Sequence, residues 1–273
     1  MPRSGASTLS FPAFYGFTRR LILVNLAAYF VLLVSLTVAH KTAMSWAMAL
    51  GFTPSLFLHG GLWQPITYSF VHFGILNTAL ELLSLWCMAG ILEGMHSSNW
   101  VAWLYSVSVV GTAAAATAIY GVADGIKLPL AEGRIFGCGG GIFGLLIAIG
   151  VLHGDMEFIL FPLPISIKAR YLAAIYALIS FAKLFYDGQR MYAFAELGGA
   201  LAGLVFIRLA PRRGFSFLFS EQWFALRNRY YRYKRRRAAR KFEVYMKSQG
   251  RTVRFDGQGH KLDEDSDDKK RWN

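Results

Sequence analysis

Six long apolar runs constrain this sequence more than any other feature. A helix needs about 20 mainly apolar residues to cross the hydrocarbon core of a bilayer, and these runs approach or reach that length. Their hydrophobicity is continuous and is not confined to one helical face, so they predict membrane-spanning helices and argue against an ordinary soluble domain. The predicted spans are Leu21–Ala39, Ser69–Leu92, Val101–Ala123, Ile135–Leu152, Tyr171–Phe185 and Met191–Ile207.

The composition agrees with a membrane protein. Apolar residues make up 55% of the chain and charged residues only 16%, whereas about a quarter is charged in an average soluble protein. Residues 41–65 mix tryptophan and phenylalanine with prolines and polar residues, which predicts an interfacial loop that does not span. Cys87 and Cys138 both lie inside apolar segments, so we expect free thiols and no disulfide framework.

The positive charge is concentrated near the C-terminus. Residues 211–273 hold 18 of the 29 Lys and Arg residues, and Arg19 and Arg20 precede the first apolar run. An even number of spans puts both termini on one side, which the positive-inside rule makes the cytoplasm. We therefore expect a cytoplasmic segment over residues 1–20, a membrane domain over 21–210 and a basic, partly disordered cytoplasmic tail over 211–273. The expected location is the bacterial inner membrane.

A basic segment follows the last span. Nine of the fifteen residues from Arg227 to Lys241 are Arg or Lys, with tyrosines among them. A helix of this composition suits anionic lipid headgroups, where each Lys or Arg contributes roughly 1 kcal/mol. A solvated tail is the alternative, and nucleic acid is a less favoured partner because a span lies so close. The residues expected to contact headgroups are Arg235, Arg236, Arg237, Arg240 and Lys241.

Two carboxylates lie inside predicted spans. Glu81 and Glu196 are costly there, since a central acidic residue costs about 2.5 to 3.5 kcal/mol on insertion scales, and such residues normally face a cavity and a partner. We predict a polar cavity in which the two carboxyl groups share one proton near neutral pH. The alternative is that each is protonated and bonded to a nearby backbone or Asn group.

Glycines open the fourth run and form a small-residue ridge in the sixth. Glycine permits an unusual backbone and a close approach of two helices at low steric cost. A helix-packing role is the simplest interpretation of this pattern. The residues concerned are Gly137, Gly140, Gly141, Gly144, Gly199 and Gly203.

Three segments together resemble the core of the rhomboid intramembrane proteases. They are Trp63-Gln64 followed by His72-Phe-Gly-Ile-Leu-Asn77-Thr-Ala-Leu-Glu81; Gly137-Cys-Gly-Gly-Gly-Ile-Phe-Gly144; and Ala195-Glu196-Leu-Gly-Gly-Ala-Leu-Ala-Gly203. The resemblance covers roughly residues 20–210, and its specificity comes from the combination of segments in this order. It implies an all-α membrane protein, a six-transmembrane-helix rhomboid-like bundle with a cytoplasmic basic tail.

The residues that the resemblance would make catalytic are missing. Rhomboids carry a serine nucleophile in Gly-x-Ser-Gly at the start of the fourth helix and a histidine base on the sixth. Alignment on the shared motifs puts Gly139 at the serine position and Glu196 at the histidine position. The residues that stabilise the oxyanion in the family correspond to His72, Asn77 and Glu81, and a carboxylate would repel that developing charge. No catalytic residue is therefore expected.

Other chemistry at these positions is less favoured. Cys138 is the only substitute nucleophile and lies at a helix start, where the helix dipole lowers a thiol pKa. It is displaced by one residue from the serine position, a rotation of about 100° on a helix, and the alignment offers it no base, so an inert thiol is expected. The spacing of His72, Asn77, Glu81, Cys138 and Glu196 matches no known metal signature, and we expect no metal or other cofactor.

The sequence thus predicts a rhomboid-like pseudoprotease that binds transmembrane client proteins without cutting them. Its expected partners are the lipid bilayer, those clients and the anionic headgroups at the tail. Two alternatives stay open. One is a rhomboid-family intramembrane endopeptidase with a nonstandard site, and the other is proton or ion transport through the two intramembrane glutamates.

Overall fold

The chain forms two compact units, Met1–Arg212 and Arg213–Asn273. A computed structural model describes residues 12, 14–127, 133–160, 165–186, 188–209, 227–235, 237–239, 242, 245, 247–249, 254–255 and 261–262. In the second unit, residues 227–235 and 237–239 are helical, and strand β3 (Arg254–Phe255) pairs antiparallel with β4 (Lys261–Leu262).

The first unit is built from helices of very different lengths. Between the seventh and eighth helices, strands β1 (Glu157–Leu160) and β2 (Ile165–Lys168) pair antiparallel, a small departure from the predicted all-α fold. The helices are α1 (Gly16–Val38), α2 (His40–Leu50), α3 (Pro54–Leu58), α4 (Gln64–Thr67), a 3-10 turn (Tyr68–Phe70), α5 (Ile75–Met95), α6 (Ser98–Gly125), α7 (Gly139–Leu152), α8 (Ala169–Lys183) and α9 (Arg190–Leu209).

Each of the six predicted spans overlaps one α-helix of the structure. In chain order these helices are α1, α5, α6, α7, α8 and α9. Among the described residues, four of them are long and apolar enough to cross a bilayer: α1, α5, α6 and α9. The other two are shorter, with 14 residues in α7 and 15 in α8. At 1.5 Å per residue they measure about 21 and 22 Å, against a hydrocarbon core of about 30 Å.

Two predicted spans begin later than their apolar runs suggested. The run from Ser69 continues as a 3-10 turn and an extended segment, and α5 starts only after Gly74, whose φ is +77°. The run from Ile135 starts with a backbone bridge between Ile135 and Phe52, so α7 begins at Gly139. Hydrophobicity alone did not locate these starts because the residues before them are as apolar as the helices.

The prediction of a loop over residues 41–65 was wrong, since this region contains α2, α3 and the start of α4. Ala43 and Ala47 lie four residues apart on α2 and are both buried, which is the spacing of one helical face. Gln64 fixes the end of α2, because its side-chain amide donates to the carbonyl of Ala49 and accepts from the backbone N–H of Thr53. The region is therefore an ordered part of the membrane domain.

The start of α1 is fixed by Glu93 near the end of α5. The Glu93 carboxylate accepts hydrogen bonds from the backbone N–H groups of Phe17 (2.7 Å) and Thr18 (2.9 Å) and from the Ser98 hydroxyl. Free N–H groups at a helix start need acceptors of this kind, and a carboxylate also suits the positive end of the helix dipole. One side chain therefore holds α1, α5 and α6 together at one end of the bundle.

Helix α7 forms the centre of the membrane domain. It packs against α9, α6, α8 and α5, and its residues Leu145, Ala148 and Ile149 have no exposed surface. A helix enclosed in this way need not match the bilayer thickness, because irregular backbone at membrane depth is tolerated where it is buried in protein or lines a cavity. This arrangement places the glycine-rich start of α7 inside the bundle.

Candidate functional site

A polar cavity of about 310 Å³ lies at the start of α7. It is bounded by the segment before α5, by α5 itself, by the start of α7 and by α9. Of the residues singled out in the sequence, the cavity wall contains His72, Asn77, Glu81, Gly137, Gly139, Gly140 and Glu196. Cys138 is fully buried beside this wall.

Glu81 is the centre of a small polar cluster. One carboxylate oxygen, Oε2, lies 3.2 Å from His72 Nε2 and accepts from the Cys138 backbone N–H (3.3 Å) and the Cys138 thiol (3.7 Å). The other, Oε1, accepts from the Asn77 side-chain amide at 3.2 Å. The cluster therefore joins the segment before α5, α5 itself and the start of α7.

The backbone around Gly137 sets this geometry. Its φ of +85° is left-handed, a conformation open to glycine at little cost. Its N–H lies within hydrogen-bond distance of the carbonyls of Tyr68 (3.0 Å) and Val71 (2.9 Å), and a Cβ at this position would lie 2.6 Å from Glu81 Oε2. Gly137 is thus required by the turn and by the carboxylate, and it precedes the helix instead of packing a helix face.

Gly139 leaves the space at the start of α7 empty. A Cβ at this position would meet no described atom within 4 Å, and the residue lines both the polar cavity and a neighbouring groove. The position has room for a larger side chain, but glycine supplies no nucleophile. Cys138 has no exposed surface and is not among the residues that line the cavity. Contrary to expectation, an imidazole does lie near its thiol, since the side-chain ligand atoms of Cys138, His72 and Glu81 all lie within 4.8 Å of one another.

Glu196 is held by helix α8. It accepts from the Ser180 hydroxyl at 2.6 Å, and Lys183 Nζ lies 2.9 Å from its Oε1. Glu81 and Glu196 line the same cavity, but each carboxylate has its own partners. That the two carboxyl groups share one proton stays a prediction, and the described side chains that contact Glu196 are Ser180 and Lys183.

The remaining glycines lie where helices cross. A Cβ on Gly144 would overlap the Ser108 side chain of α6, and one on Gly203 would lie 2.9 Å from Gly144 Cα. On the same faces, added Cβ atoms would overlap Thr112 at Gly140 and Gly199 and would overlap Tyr105 at Gly141. These contacts bring α6, α7 and α9 close enough to enclose one end of the cavity.

A groove of about 270 Å³ adjoins the cavity. Its walls come from α5, α7, α8 and α9, with Ser84, Ile142 and Tyr176 among the lining residues. Glu81, Gly139 and Glu196 line both the groove and the cavity. The groove is therefore a lateral extension of the polar site between α5 and α8.

Some residues of this site escaped the sequence analysis. Lys183 was not predicted as a site residue, although a lysine and a glutamate in two successive spans are a signal for an ion pair. Tyr192, in the cavity wall, donates to the carbonyl of Arg134, and Arg134 Nε donates to Thr53 at 3.0 Å. No sequence pattern indicates those contacts, because they join three distant segments.

The basic segment lies in the second unit. Arg235 and Arg237 are exposed on helical residues there, whereas Arg236, Arg240 and Lys241 lie outside the described residues. Of the tail residues expected to contact headgroups, only these two therefore have a described environment.

The family of the chain follows from comparison with known sequences. The profile of a family described as eukaryotic integral membrane protein (DUF1751) matches residues 20–213. The chain belongs to this family. Like the DUF1751 family as a whole, it is an integral membrane protein, and its helices make it a multi-pass one. The family is described as eukaryotic, which gives no support to the predicted bacterial inner membrane. No curated protein sequence matches the chain.

Proposed function

We propose that this DUF1751 protein is a rhomboid-like pseudoprotease that binds transmembrane segments of client proteins without cleaving them. In this proposal α1, α5, α6, α7, α8 and α9 all cross the membrane. The termini face the cytoplasm, where the tail contacts anionic headgroups. The family match supports the membrane assignment, and the cavity and groove at the start of α7 support the binding of client segments without cleavage.

One observation carries the proposal. The lateral groove between α5 and α8 adjoins the polar cavity. Glu81, Gly139 and Glu196 line both the groove and the cavity. Hydrocarbon cannot satisfy the hydrogen bonds of polar or helix-breaking residues in a client helix. A client helix in the groove places those residues against Glu81, Gly139 and Glu196. At the place where a rhomboid would attack the peptide bond, Gly139 provides only open space.

The groove can be tested by obstructing it. A transmembrane reporter with a central helix-breaking residue is reconstituted with the protein in vesicles, and both co-purification and cleavage are measured. Ser84→Trp fills the groove and should weaken co-purification about 10-fold, the equivalent of 1.4 kcal/mol. Val110→Trp, at an exposed position on α6 that does not line the groove, is the matched control and should bind as the wild type does.

The same experiment separates the alternatives. Cleavage by the wild type that is lost in Cys138→Ala would establish a cysteine protease and overturn the proposal. Equal co-purification by Ser84→Trp and Val110→Trp would show that the groove is not the binding site. Proton flux across vesicles that lack reporter, lost in Glu81→Gln, would favour transport.

A further inference from the structure

His72, Glu81 and Cys138 place three different metal-ligand atoms around one point. The imidazole nitrogen, the carboxylate oxygen and the sulfur all lie within 4.8 Å of one another. His72 Nε2 and Cys138 Sγ lie 3.2 and 3.7 Å from Glu81 Oε2, respectively. These residues come from three separate elements, which explains why their spacing in the sequence matched no metal signature.

The two separations that involve Glu81 Oε2 resemble those of a tetrahedral zinc site. Zinc binds nitrogen and oxygen at about 2.0 to 2.1 Å and sulfur at about 2.3 Å, so tetrahedral angles separate the ligand atoms by about 3.3 to 3.6 Å. The distances from His72 Nε2 (3.2 Å) and Cys138 Sγ (3.7 Å) to Glu81 Oε2 differ from this range by about 0.1 Å each. A mixed set of nitrogen, sulfur and oxygen ligands is also one that zinc accepts readily.

The buried imidazole is a second, independent indication. His72 is 1% exposed, and neither of its ring nitrogens has a hydrogen-bond partner among the described residues. Nε2 is close to Glu81 Oε2, but the contact lacks hydrogen-bond geometry. Buried polar groups without hydrogen bonds are uncommon because leaving one unsatisfied costs about 1 to 3 kcal/mol. A metal ion between the three side chains would give this nitrogen a partner.

Charge and rigidity both suit a divalent ion. A Glu81 carboxylate and a Cys138 thiolate together carry two negative charges, so Zn²⁺ would make a neutral site within a bundle that disfavours net charge. The hydrogen bonds of Gly137 to Tyr68 and Val71 hold the segment of His72 against the start of α7. The ligands are therefore positioned before any ion arrives, and the cavity beside Glu81 gives access and room for a water as fourth ligand.

We propose that His72, Glu81 and Cys138 form a binding site for Zn²⁺, with the fourth position open to the polar cavity. Binding forms bonds from the metal to the imidazole nitrogen, the carboxylate oxygen and the sulfur, and it releases the thiol proton to water. The site does not depend on client binding, so each proposal can fail without the other.

The experiment uses the full chain in detergent micelles, without an affinity tag and after chelator treatment. The reference protein is Cys87→Ser, which leaves Cys138 as the only thiol because the chain has two cysteines. Co²⁺ is the spectroscopic probe, since a cobalt–thiolate bond gives a near-ultraviolet charge-transfer band and a tetrahedral site gives intense visible bands. Zn²⁺ is then titrated against the bound Co²⁺, and stoichiometry is measured by elemental analysis.

We expect one Co²⁺ per chain with a thiolate band, displaced by one Zn²⁺. Added to the reference protein, Cys138→Ser should abolish the band, and His72→Gln and Glu81→Gln should each weaken Zn²⁺ binding by more than about 100-fold, beyond the effect of losing an outer-sphere partner. A folded reference protein that binds no Co²⁺, or binds it without a thiolate band, would overturn the proposal. That result needs no ligand variant, so the test stands even where a variant fails to fold.

Discussion

The glycines of α5 and α7 differ in what surrounds the Cβ atom that each lacks. At Gly144 an added Cβ would overlap Ser108 and lie 3.1 Å from the carbonyl of Gly199. At Gly94, in α5, it would meet no described atom within 4 Å. Both residues are inside helices, so the comparison separates packing from helix propensity.

Gly144→Ala should destabilise the protein by about 1 to 3 kcal/mol, because it overpacks the contact between α6, α7 and α9. Gly94→Ala should instead be neutral or stabilise by up to about 1 kcal/mol, through better helix propensity. Unfolding of both variants in detergent micelles measures the difference. Equal stability of the two variants would contradict close packing at Gly144.

His96 should make stability depend on pH. Its ring stacks on Trp100 with centroids 4.1 Å apart and lies 5.6 Å from the ring of His153. Burial, and then the neighbouring His153, lower the pKa of His96 in the folded protein. In the unfolded chain the pKa is about 6.5, so as pH falls through this value the unfolded state takes up the proton first and the free energy of unfolding decreases.

We therefore expect stability to be fully present above about pH 6.5 and to be lost as pH falls toward the folded pKa of His96. His96→Phe keeps an aromatic ring against Trp100 and should flatten the profile between about pH 5 and 7. Unfolding at a series of pH values checks this, with His59→Phe, at an exposed histidine, as control. An unchanged slope in His96→Phe would rule out this residue as the origin.

At the scale of residues, the sequence indicated which side chains needed an explanation but not their partners. Glu81 and Glu196 stood out because charge inside an apolar run is costly. Their partners depend on rotation about each helix axis, which continuous hydrophobicity does not encode, because an evenly apolar helix has no preferred face. For this reason the pairing of Glu196 with Lys183, and the approach of His72 to Cys138, required the folded structure.

At the scale of elements, the ion pair between Lys183 and Glu196 joins α8 to α9. The side chains are 33% and 28% exposed, respectively, so the pair is partly screened from lipid and solvent. Replacing only one residue of such a pair is costly, because the charge of the other residue is left without a partner. The pair between Lys168 and Asp155 is a control in the same chain, since its N–O distance is 3.4 Å and its side chains are 40% and 78% exposed.

A double-mutant cycle with Lys183→Met and Glu196→Gln should give a coupling energy of about 1 to 2 kcal/mol. The cycle with Lys168→Met and Asp155→Asn should give less than about 1 kcal/mol, as is usual for exposed pairs. Unfolding in detergent micelles provides both values. A larger coupling at the exposed pair would refute a stabilising role for the contact between α8 and α9.

The elements were more predictable than their ends. The apolar runs located α1, α5, α6, α7, α8 and α9 because a run of this length has few alternatives to a buried or membrane helix. The starts of α5 and α7 were misplaced by several residues, since the left-handed backbone of Gly74 and the tertiary hydrogen bonds of Gly137 set them. The short helices α2, α3 and α4 were missed because mixed polar and apolar sequence with prolines gives a weak helix signal.

At the scale of the whole molecule, the two short helices decide the topology. If α7 and α8 both cross the membrane, the hairpin of β1 and β2 lies on the same side of the membrane as the C-terminal end of α9. If only the four long helices cross, the hairpin lies on the opposite side. Asp155, two residues before β1, has a side chain that is 78% exposed and is suited to report the difference.

We expect Asp155→Cys, in a Cys87→Ser background, to react with a membrane-impermeant maleimide from the cytoplasmic side. Asp124→Cys, near the end of α6, should react from the other side. In the six-span topology α6 leaves the membrane on that side, and α7 enters it again from there. Labelling of sealed vesicles of known orientation measures both, and the buried Cys138 should not react. Labelling of both positions from one side would support four spans.

Helix α8 also relates the protein to the thickness of its membrane. Its exposed face carries Tyr171, Ile175 and Leu178, and its 15 residues cover about 22 Å of a hydrocarbon layer of about 30 Å. In the proposed topology the lipids beside α8 must compress, at a cost of a fraction of a kcal/mol for each ångström of mismatch. Thin bilayers relieve that compression, so lipid chain length becomes a physical variable to which this protein responds through one side of its bundle.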